Sequence, residues 1–231
     1  MTEPAAALPR SLAAVVFDAY GTLFDLSAIA GGARDVLGQD TEAFALLWRR
    51  KQLEYTWLRA LMGDYADFWQ VTGESLGYAL AAMGRDDPAL RARLMQRHMN
   101  VPAYPDVVPA LTELRARRLK TAILTNGSPH MITAAVNAAD LRKLLDHILS
   151  VDAVRSYKPH PTVYALAPDA LKCEPLEIVF VSANAWDVAG AAHFGFRAVW
   201  LNRGKALAER LPARPAREIA SLAELIAALP G

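Results

Sequence analysis

Charged and small polar residues follow four short apolar runs in this sequence of 231 residues. They include two carboxylates, one ammonium group and several hydroxyls and amides, which together could build a site for nucleophilic chemistry. An aspartate can act as a covalent nucleophile, and a nearby cation favours its ionised form. The four groups are Asp18, Tyr20 and Thr22; Thr125, Asn126, Gly127 and Ser128; Lys158; and Ser182, Asn184, Trp186 and Asp187.

Each group also has an ordinary structural explanation. Asp18 could cap a turn, Asn126-Gly127 is a common turn dipeptide, and Lys158 could be a surface lysine before a proline. Asp187 could be an acid in the first turn of a helix, stabilised by the helix dipole. One such coincidence carries little weight, but groups at four successive strand ends favour a shared site.

The elements that must position these groups alternate between strands and helices. Short runs rich in aliphatic and β-branched residues predict buried strands, and a capping-box pattern predicts the start of a last helix. This alternation predicts a Rossmann-like α/β fold with a parallel sheet, in which ligands bind at the carboxyl ends of the strands. The predicted strands cover 13–17, 120–124, 147–151, 178–181 and 197–201. The predicted helices between and after them cover 109–118, 130–138, 162–171, 185–194 and 221–229.

A stretch of about 75 residues after the first predicted strand breaks this alternation. Its apolar residues recur at the spacings typical of helices. Asp86-Asp87-Pro88 indicates the start of one helix, since proline is favoured in the first turn. The sequence therefore predicts a helical cap formed by 26–100 and inserted into a single core domain, which is formed by 1–25 and 101–231.

Charge and composition exclude several classes of protein. Lysine and arginine number 25 and aspartate and glutamate 24, so a net charge of +1 offers no basic surface for nucleic acid. The apolar runs are too short for a membrane span, and we expect no signal peptide in Met1–Leu12. A single cysteine excludes an intrachain disulfide framework. We therefore expect a cytoplasmic protein that binds neither nucleic acid nor membranes.

Four motifs, in order along nearly the whole chain, resemble those of the haloacid dehalogenase superfamily. Most members of that superfamily are phosphatases that use magnesium, and they carry acidic residues at two positions that are Tyr20 and Ala183 here. Magnesium is bound by oxygen ligands such as carboxylates, so these two departures weaken a phosphatase site. The motifs are Phe17-Asp18-x-Tyr20-Gly21-Thr22-Leu23, Leu124-Thr125-Asn126-Gly127, Lys158-Pro159 and Ser182-Ala183-Asn184-Ala185-Trp186-Asp187.

The pattern is more similar to the L-2-haloacid dehalogenase branch, which needs no metal. The segment 47–59 closely resembles the first cap helix of that branch. The resemblance implies that Asp18 attacks C2 of a haloacid and forms an ester, while Lys158 balances the charge of Asp18. It also implies that Asp187 and Asn184 position or activate the water that hydrolyses the ester.

The resemblance implies halide-binding roles for Arg49 and Asn126, because donors aimed at developing charge lower the barrier. From spacing alone, Arg49 would be interpreted as a solvated charge on a helix face. The hydroxyls of Thr22 and Thr125 are expected to orient Asp18. Ser182 is expected among the catalytic groups. The expected substrate contacts are backbone N–H groups near Tyr20 and Gly21, the side chains of Asn126 or Ser128, Tyr164, and the apolar side chains of Tyr20, Leu53, Phe68 and Trp186. Leu53 and Phe68 could equally pack within the cap, and Tyr164 could equally belong to the core.

The resulting expectation is hydrolysis of short L-2-haloalkanoic acids to D-2-hydroxy acids, with inversion at C2 and without a metal or other cofactor. The expected partners are the haloacid, the halide and a second copy of the chain. Trp57, Leu58 and Leu61 could form the surface of this homodimer or could be internal. A magnesium-dependent phosphatase or phosphonate hydrolase of the same superfamily is the first alternative, and a binding protein without catalysis is the second.

Overall fold

The computed structural model of the protein describes residues 11–230. Residues 1–10 and 231, which belong to the predicted core segments, lie outside this range. Nearly all of Met1–Leu12, where no signal peptide is expected, also lies outside it. Within the described range, no helix combines the length and the apolar character that crossing a membrane requires.

Six parallel strands form one sheet in the order β3-β2-β1-β4-β5-β6. Nearly all residues of the central strands are buried, as expected for a parallel sheet with helices on both faces. Five of the strands match the predicted ones, so the predicted α/β architecture is confirmed. The strands are β1 (Ala14–Phe17), β2 (Lys120–Thr125), β3 (His147–Ser150), β4 (Ile178–Ser182), β5 (Arg197–Leu201) and β6 (Arg217–Ile219).

Strand β6 has no counterpart among the predicted strands. It is a strand of three residues at the edge of the sheet, and Arg217 and Glu218 are exposed. A strand this short, with one buried residue, leaves no apolar run or alternation for a sequence pattern to detect.

Helices flank the sheet and fill the segment between β1 and β2. They are α1 (Ser27–Ala30), α2 (Arg34–Leu37), α3 (Thr41–Met62), α4 (Phe68–Ala82), α5 (Pro88–Arg97), α6 (Val107–Ala116), α7 (Pro129–Ala138), α8 (Pro161–Leu171), α9 (Ala185–Phe194) and α10 (Leu222–Ala228). Short 3₁₀ helices cover Gly31–Ala33, Gly38–Asp40, His98–Asn100, Arg142–Leu144, Val151–Ala153 and Pro175–Glu177.

Side-chain caps explain where several helices begin. Asp67 accepts a hydrogen bond from the Gln70 N–H at 2.9 Å before α4. Asp87 accepts from the Ala89 N–H at 2.8 Å before α5, where Pro88 takes the first position. Such caps satisfy N–H groups that have no partner within the helix.

We call α1–α5 the inserted helices, because they lie between β1 and the rest of the sheet in the chain. Within them, Gln52 Nε2 of α3 donates to Thr72 Oγ1 of α4 at 2.7 Å. The loop between α3 and α4 is tied to the loops that follow β3. Tyr65 donates to Asp152, and Tyr157 donates to the Ala66 carbonyl oxygen at 2.6 Å. These bonds fix the start of α4 relative to the sheet.

Candidate active site

Asp18 directly follows β1, the strand that lies between β2 and β4. The residue is buried, with 7% of its surface exposed to solvent. Its Oδ1 accepts a hydrogen bond from Lys158 Nζ at 3.1 Å. Its Oδ2 accepts from Thr22 Oγ1 at 3.0 Å and from Asn184 Nδ2 at 2.9 Å. Both carboxylate oxygens of Asp18 are therefore held in fixed directions.

Lys158 lies between two carboxylates. Its Nζ donates to Asp187 Oδ2 at 2.9 Å as well as to Asp18, and the side chain is buried. Burial alone lowers the pKa of a lysine, but the charges of Asp18 and Asp187 outweigh it and raise the pKa of Lys158 above its ordinary value. The ammonium group therefore stays charged and balances the carboxylates.

Asp187 is completely buried, in the first turn of α9. Burial raises its pKa to about 6, although the charge of Lys158 and the hydrogen bond from Tyr164 both act to lower it. Tyr164 donates to Asp187 Oδ1 at 2.8 Å. Burial raises the pKa of Tyr164 well above its ordinary value, so its hydroxyl remains a donor. Asp187 is thus ionised at neutral pH but within reach of protonation in mild acid.

The turns after β1 and β4 hold each other in place. Thr22 Oγ1 accepts from the Ala183 N–H at 2.8 Å while it donates to Asp18. Gly21 has a φ of +88°, a conformation that L side chains rarely adopt. Ser182 Oγ accepts from the Asn184 N–H at 3.1 Å. This interlocking sets the position of Asn184 against Asp18.

The carboxylate of Asp18 lines a small cavity beneath the inserted helices. The cavity volume is about 10 Å³, which is room for one water molecule. Residues from both the sheet and the inserted helices contribute to it, and all of them are among the residues singled out in the sequence. The lining residues are Asp18, Tyr20, Arg49, Leu53, Phe68, Thr125, Asn126, Asn184 and Trp186.

Arg49 of α3 brings a cation to this cavity. Its Nη1 donates to Gln52 Oε1 at 2.7 Å, and its Nη2 donates to Asn184 Oδ1 at 3.4 Å. Burial lowers the pKa of Arg49, and the carboxylates of Asp18 and Asp187 oppose this. An arginine remains protonated under such conditions, so the guanidinium presents its charge to the cavity while held by neutral amides.

Asn126 follows β2 and also lines the cavity. Its Oδ1 accepts from the Lys158 backbone N–H at 3.1 Å. The amide oxygen is therefore used within the protein, and the NH₂ group is the part of this side chain that can serve a bound molecule.

Three expected contacts differ in the structure. The Thr125 hydroxyl accepts from the Gly127 N–H at 3.0 Å instead of orienting Asp18. The Gly21 N–H donates to the Phe24 carbonyl at 2.8 Å, so it is not free for a substrate. Ser128 pairs with His130 at 3.1 Å and does not line the cavity. In each case the group forms a hydrogen bond within its own turn, and not the expected one to Asp18 or to the substrate.

Ser182 and Tyr164 also lie outside the cavity lining. Both are fully buried. Ser182 supports the turn that carries Asn184, and Tyr164 supports Asp187 from behind. Tyr164 is thus a core residue that contacts Asp187, which fits the alternative that it belongs to the core, and its contact with the substrate stays a prediction.

Gln52 has a place in the site that the sequence reasoning overlooked. It lies three residues after Arg49 on α3 and accepts from its guanidinium. The spacing of Arg49 and Gln52 could have predicted this contact, because residues three apart on a helix are neighbours. The contact between Tyr157 and Ala66, which fixes the start of α4, joins residues far apart in the chain and has no such signal.

Comparisons with known proteins agree on one family. The model of haloacid dehalogenase-like hydrolases matches residues 12–195. The (S)-2-haloacid dehalogenase 4A of Burkholderia cepacia is 46% identical over 84% of this chain and 84% of its own length. The (S)-2-haloacid dehalogenase 1 of Pseudomonas sp. (strain CBS-3) is 46% identical over 92% of this chain and 94% of its own.

A solved structure extends this similarity to three dimensions. It is the L-2-haloacid dehalogenase of Xanthobacter autotrophicus with chloropropionic acid covalently bound. It is 39% identical, has a TM-score of 0.86, and covers 94% of this chain and 97% of that one. With the fold and the family model in agreement, the chain belongs to the haloacid dehalogenase superfamily and, within it, to the L-2-haloacid dehalogenase branch.

Proposed function

We propose that this protein hydrolyses short L-2-haloalkanoic acids to D-2-hydroxy acids, with inversion at C2, through an ester on Asp18. One observation carries the proposal. A buried carboxylate with its charge balanced by Lys158 lines the same cavity as a guanidinium and an amide NH₂ group. A nucleophile and donors for a leaving anion are thus next to one another, which is the arrangement that displacement of a halide requires.

In the first step, an oxygen of Asp18 forms a bond to C2 while the carbon–halogen bond breaks. The electron pair of that bond leaves with the halide. Arg49 and the NH₂ group of Asn126 receive the halide, since preformed donors stabilise charge as it develops. Leu53, Phe68 and Trp186 provide apolar walls for the alkyl part, as is common in small-molecule sites.

In the second step, water attacks the carbonyl carbon of the Asp18 ester and not C2. The bond from that carbon to the substrate oxygen breaks, so C2 is inverted only once. The whole reaction consumes one water and releases one halide, one proton and the hydroxy acid. Asn184 and Thr22 hold Asp18 in the same orientation for both steps.

The division of the chain into a core and a cap follows from this role. The inserted helices supply Arg49, Leu53 and Phe68 to a cavity whose other members come from the sheet. We propose that 26–100 acts as a cap over a core formed by 1–25 and 101–231. A cap that excludes water strengthens the electrostatic interactions beneath it.

We also propose that the active form is a homodimer. Leu58 and Leu61 of α3 are 45% and 84% exposed, and Met62 beside them is 68% exposed. Trp57, in contrast, packs inward against Trp186 with ring centroids 5.5 Å apart. Clustered apolar side chains at a surface are typical of an interface. Sedimentation velocity should show a dimer that Leu61→Glu shifts to monomer, and a monomeric wild-type protein would contradict this.

The donor set argues against a magnesium-dependent phosphatase. All four oxygens of Asp18 and Asp187 already accept hydrogen bonds from protein side chains. Lys158 lies between the two carboxylates, and Ala183 offers no side-chain oxygen. Magnesium needs several oxygen ligands in a regular octahedron, whereas the lining of the cavity includes one carboxylate, that of Asp18.

Chloride release tests the proposed function. The protein is incubated with L-2-chloropropionate in the presence of EDTA, and chloride and the configuration of the lactate are measured. We expect chloride and D-lactate despite EDTA, and neither from Asp18→Asn. Cleavage of p-nitrophenyl phosphate that EDTA abolishes, without chloride release, would instead favour the phosphatase. Inactivity in both assays would favour a binding protein.

A further inference from the structure

We propose that a surface pocket between α1 and α3 is a vestibule that binds the haloacid before it reaches Asp18. This inference rests on the proposed function and extends it to a second binding position. The residues that line the pocket are Leu26, Ser27, Ile29, Glu42, Ala45, Leu46, Trp48, Arg49, Gln52 and His98.

The two cavities differ greatly in size. The vestibule has a volume of about 230 Å³, whereas the catalytic cavity has about 10 Å³. A haloacid of a few carbons therefore fits the vestibule as it stands, and it enters the catalytic cavity only when side chains around Asp18 move. The vestibule walls are mostly apolar, which suits the alkyl and halogen parts of such a molecule.

Arg49 connects the two cavities, because it is the residue that lines both. Its hydrogen-bond partners, Gln52 and Asn184, are neutral amides, and the bond to Asn184 is long at 3.4 Å. A carboxylate in the vestibule would meet this guanidinium at the inner end. Glu42 also lines the vestibule, but it is exposed to solvent, which screens its charge, whereas Arg49 is half-buried. Charge complementarity at the inner end therefore favours a small organic monoanion over a neutral molecule or a cation.

His98 adds a buried imidazole to the polar groups that line the vestibule. It is 5% exposed, and its Nδ1 has no hydrogen-bond partner among the described residues. The ring lies against Trp48 and Tyr20, with centroids 5.2 and 6.5 Å away. Burial and the nearby charge of Arg49 lower the pKa of His98 to about 3, so the imidazole is neutral. A buried polar atom without a partner is costly, and a bound molecule in the vestibule can satisfy it.

A second route to Asp18 is less well matched to an anion. Trp186 lines the catalytic cavity and also a pocket on another face of the protein, formed with residues such as Pro159, His193 and Ala213. Among residues 11–230, no lysine or arginine lines that pocket. The Trp186 ring is also held edge-on by Trp57. A haloacid therefore finds no cation to bind there.

Two matched substitutions test the vestibule. Ala45→Trp fills it from α3, and Ala213→Trp fills the pocket behind Trp186. We expect Ala45→Trp to lower kcat/KM for L-2-chloropropionate about tenfold or more, since narrowing a path slows association. Ala213→Trp should leave kcat/KM unchanged. Thermal unfolding of each variant shows whether it is folded. If Ala45→Trp does not fold, Ser27→Trp fills the vestibule from the opposite wall and is measured in its place.

The outcomes separate this inference from the proposed function. The wild-type protein alone tests the function, and absence of chloride from it overturns both proposals. Chloride release by wild type with equal kcat/KM in Ala45→Trp and Ser27→Trp overturns the vestibule alone. A loss confined to Ala213→Trp also overturns it and places the route behind Trp186.

Discussion

The two sides of the catalytic cavity are built in different ways. On the sheet side, Asp18, Lys158 and Asp187 form a buried network in which every carboxylate oxygen accepts a hydrogen bond. On the side of the inserted helices, Arg49 is half-buried and held by amides, and Phe68 contributes apolar surface. The sheet side therefore holds its charged groups by buried ion pairs, while the charged group of the other side is held by neutral partners alone.

The difference has an energetic consequence. Removal of one partner from a buried ion pair leaves an uncompensated charge in a poorly solvated place. Removal of a group held by neutral partners near solvent leaves much less behind. Substitution of a charged group on the sheet side should therefore reduce both activity and stability, and substitution of Arg49 on the helical side should reduce activity alone.

Lys158→Met should have the largest effect, because it leaves Asp18 and Asp187 without their shared cation. We expect kcat for chloride release to fall by about 10³ or more and the free energy of unfolding in urea to fall by about 3–5 kcal/mol. Without the ammonium, the pKa of Asp187 rises further. The stability loss should therefore be fully present at alkaline pH and shrink as Asp187 takes up a proton in acid.

Lys143→Met is the matched control for this substitution, because Lys143 is exposed on the surface. It should change neither activity nor stability. A Lys158→Met protein with wild-type stability at every pH would contradict the account of the sheet side.

Arg49→Lys should have an intermediate effect that is confined to activity. The substitution keeps the charge but loses the planar fork of donors. We expect kcat/KM for L-2-chloropropionate to fall by about 10², with the free energy of unfolding within about 0.5 kcal/mol of wild type. Arg50→Lys, at the exposed neighbouring position, serves as control. If Arg49→Lys destabilised the protein as much as Lys158→Met, the contrast between the two sides would disappear.

Tyr164→Phe should have the smallest effect, seen mainly in the pH profile. Asp187 is expected to position or activate the water of the second step, so its protonation, at a pKa of about 6, should reduce kcat of the wild type on the acid side. The hydrogen bond from Tyr164 lowers that pKa, so its loss should move the acid limb to higher pH. The stability cost of one buried hydrogen bond is about 1 kcal/mol. Tyr78→Phe, at an exposed tyrosine, is the control and should leave the acid limb of the pH profile unchanged. An unchanged acid limb in Tyr164→Phe would refute the role of Tyr164 in lowering the pKa of Asp187.

The sequence was enough to find the elements of the sheet side. Asp18 directly follows an apolar run, and Asn126 and Asp187 come two and six residues after theirs; parallel strands end at one edge of a sheet. The five predicted strands and the five helices predicted in the core segments lie within two residues of the observed ones, because their apolar patterns are regular. The exception, β6, is too short to have a pattern.

Finer contacts could not be predicted in the same way. Whether the hydroxyl of Thr125 reaches Asp18 or the Gly127 N–H depends on the exact course of a turn, and residue type does not fix it. His98 has no spacing signal, since its position beside Tyr20 and Trp48 results from packing between distant segments. On the helical side, Arg49 is found from the family resemblance and not from its place on α3.

An isotope experiment tests the central claim, that Asp18 and not water attacks the substrate, most directly. Excess enzyme is mixed with L-2-chloropropionate in H₂¹⁸O for a single turnover, and the lactate and the protein are analysed by mass spectrometry. The account predicts lactate without ¹⁸O in its hydroxyl group and one ¹⁸O in the peptide that contains Asp18. Lactate labelled in the hydroxyl group, with an unlabelled Asp18 peptide, would contradict it.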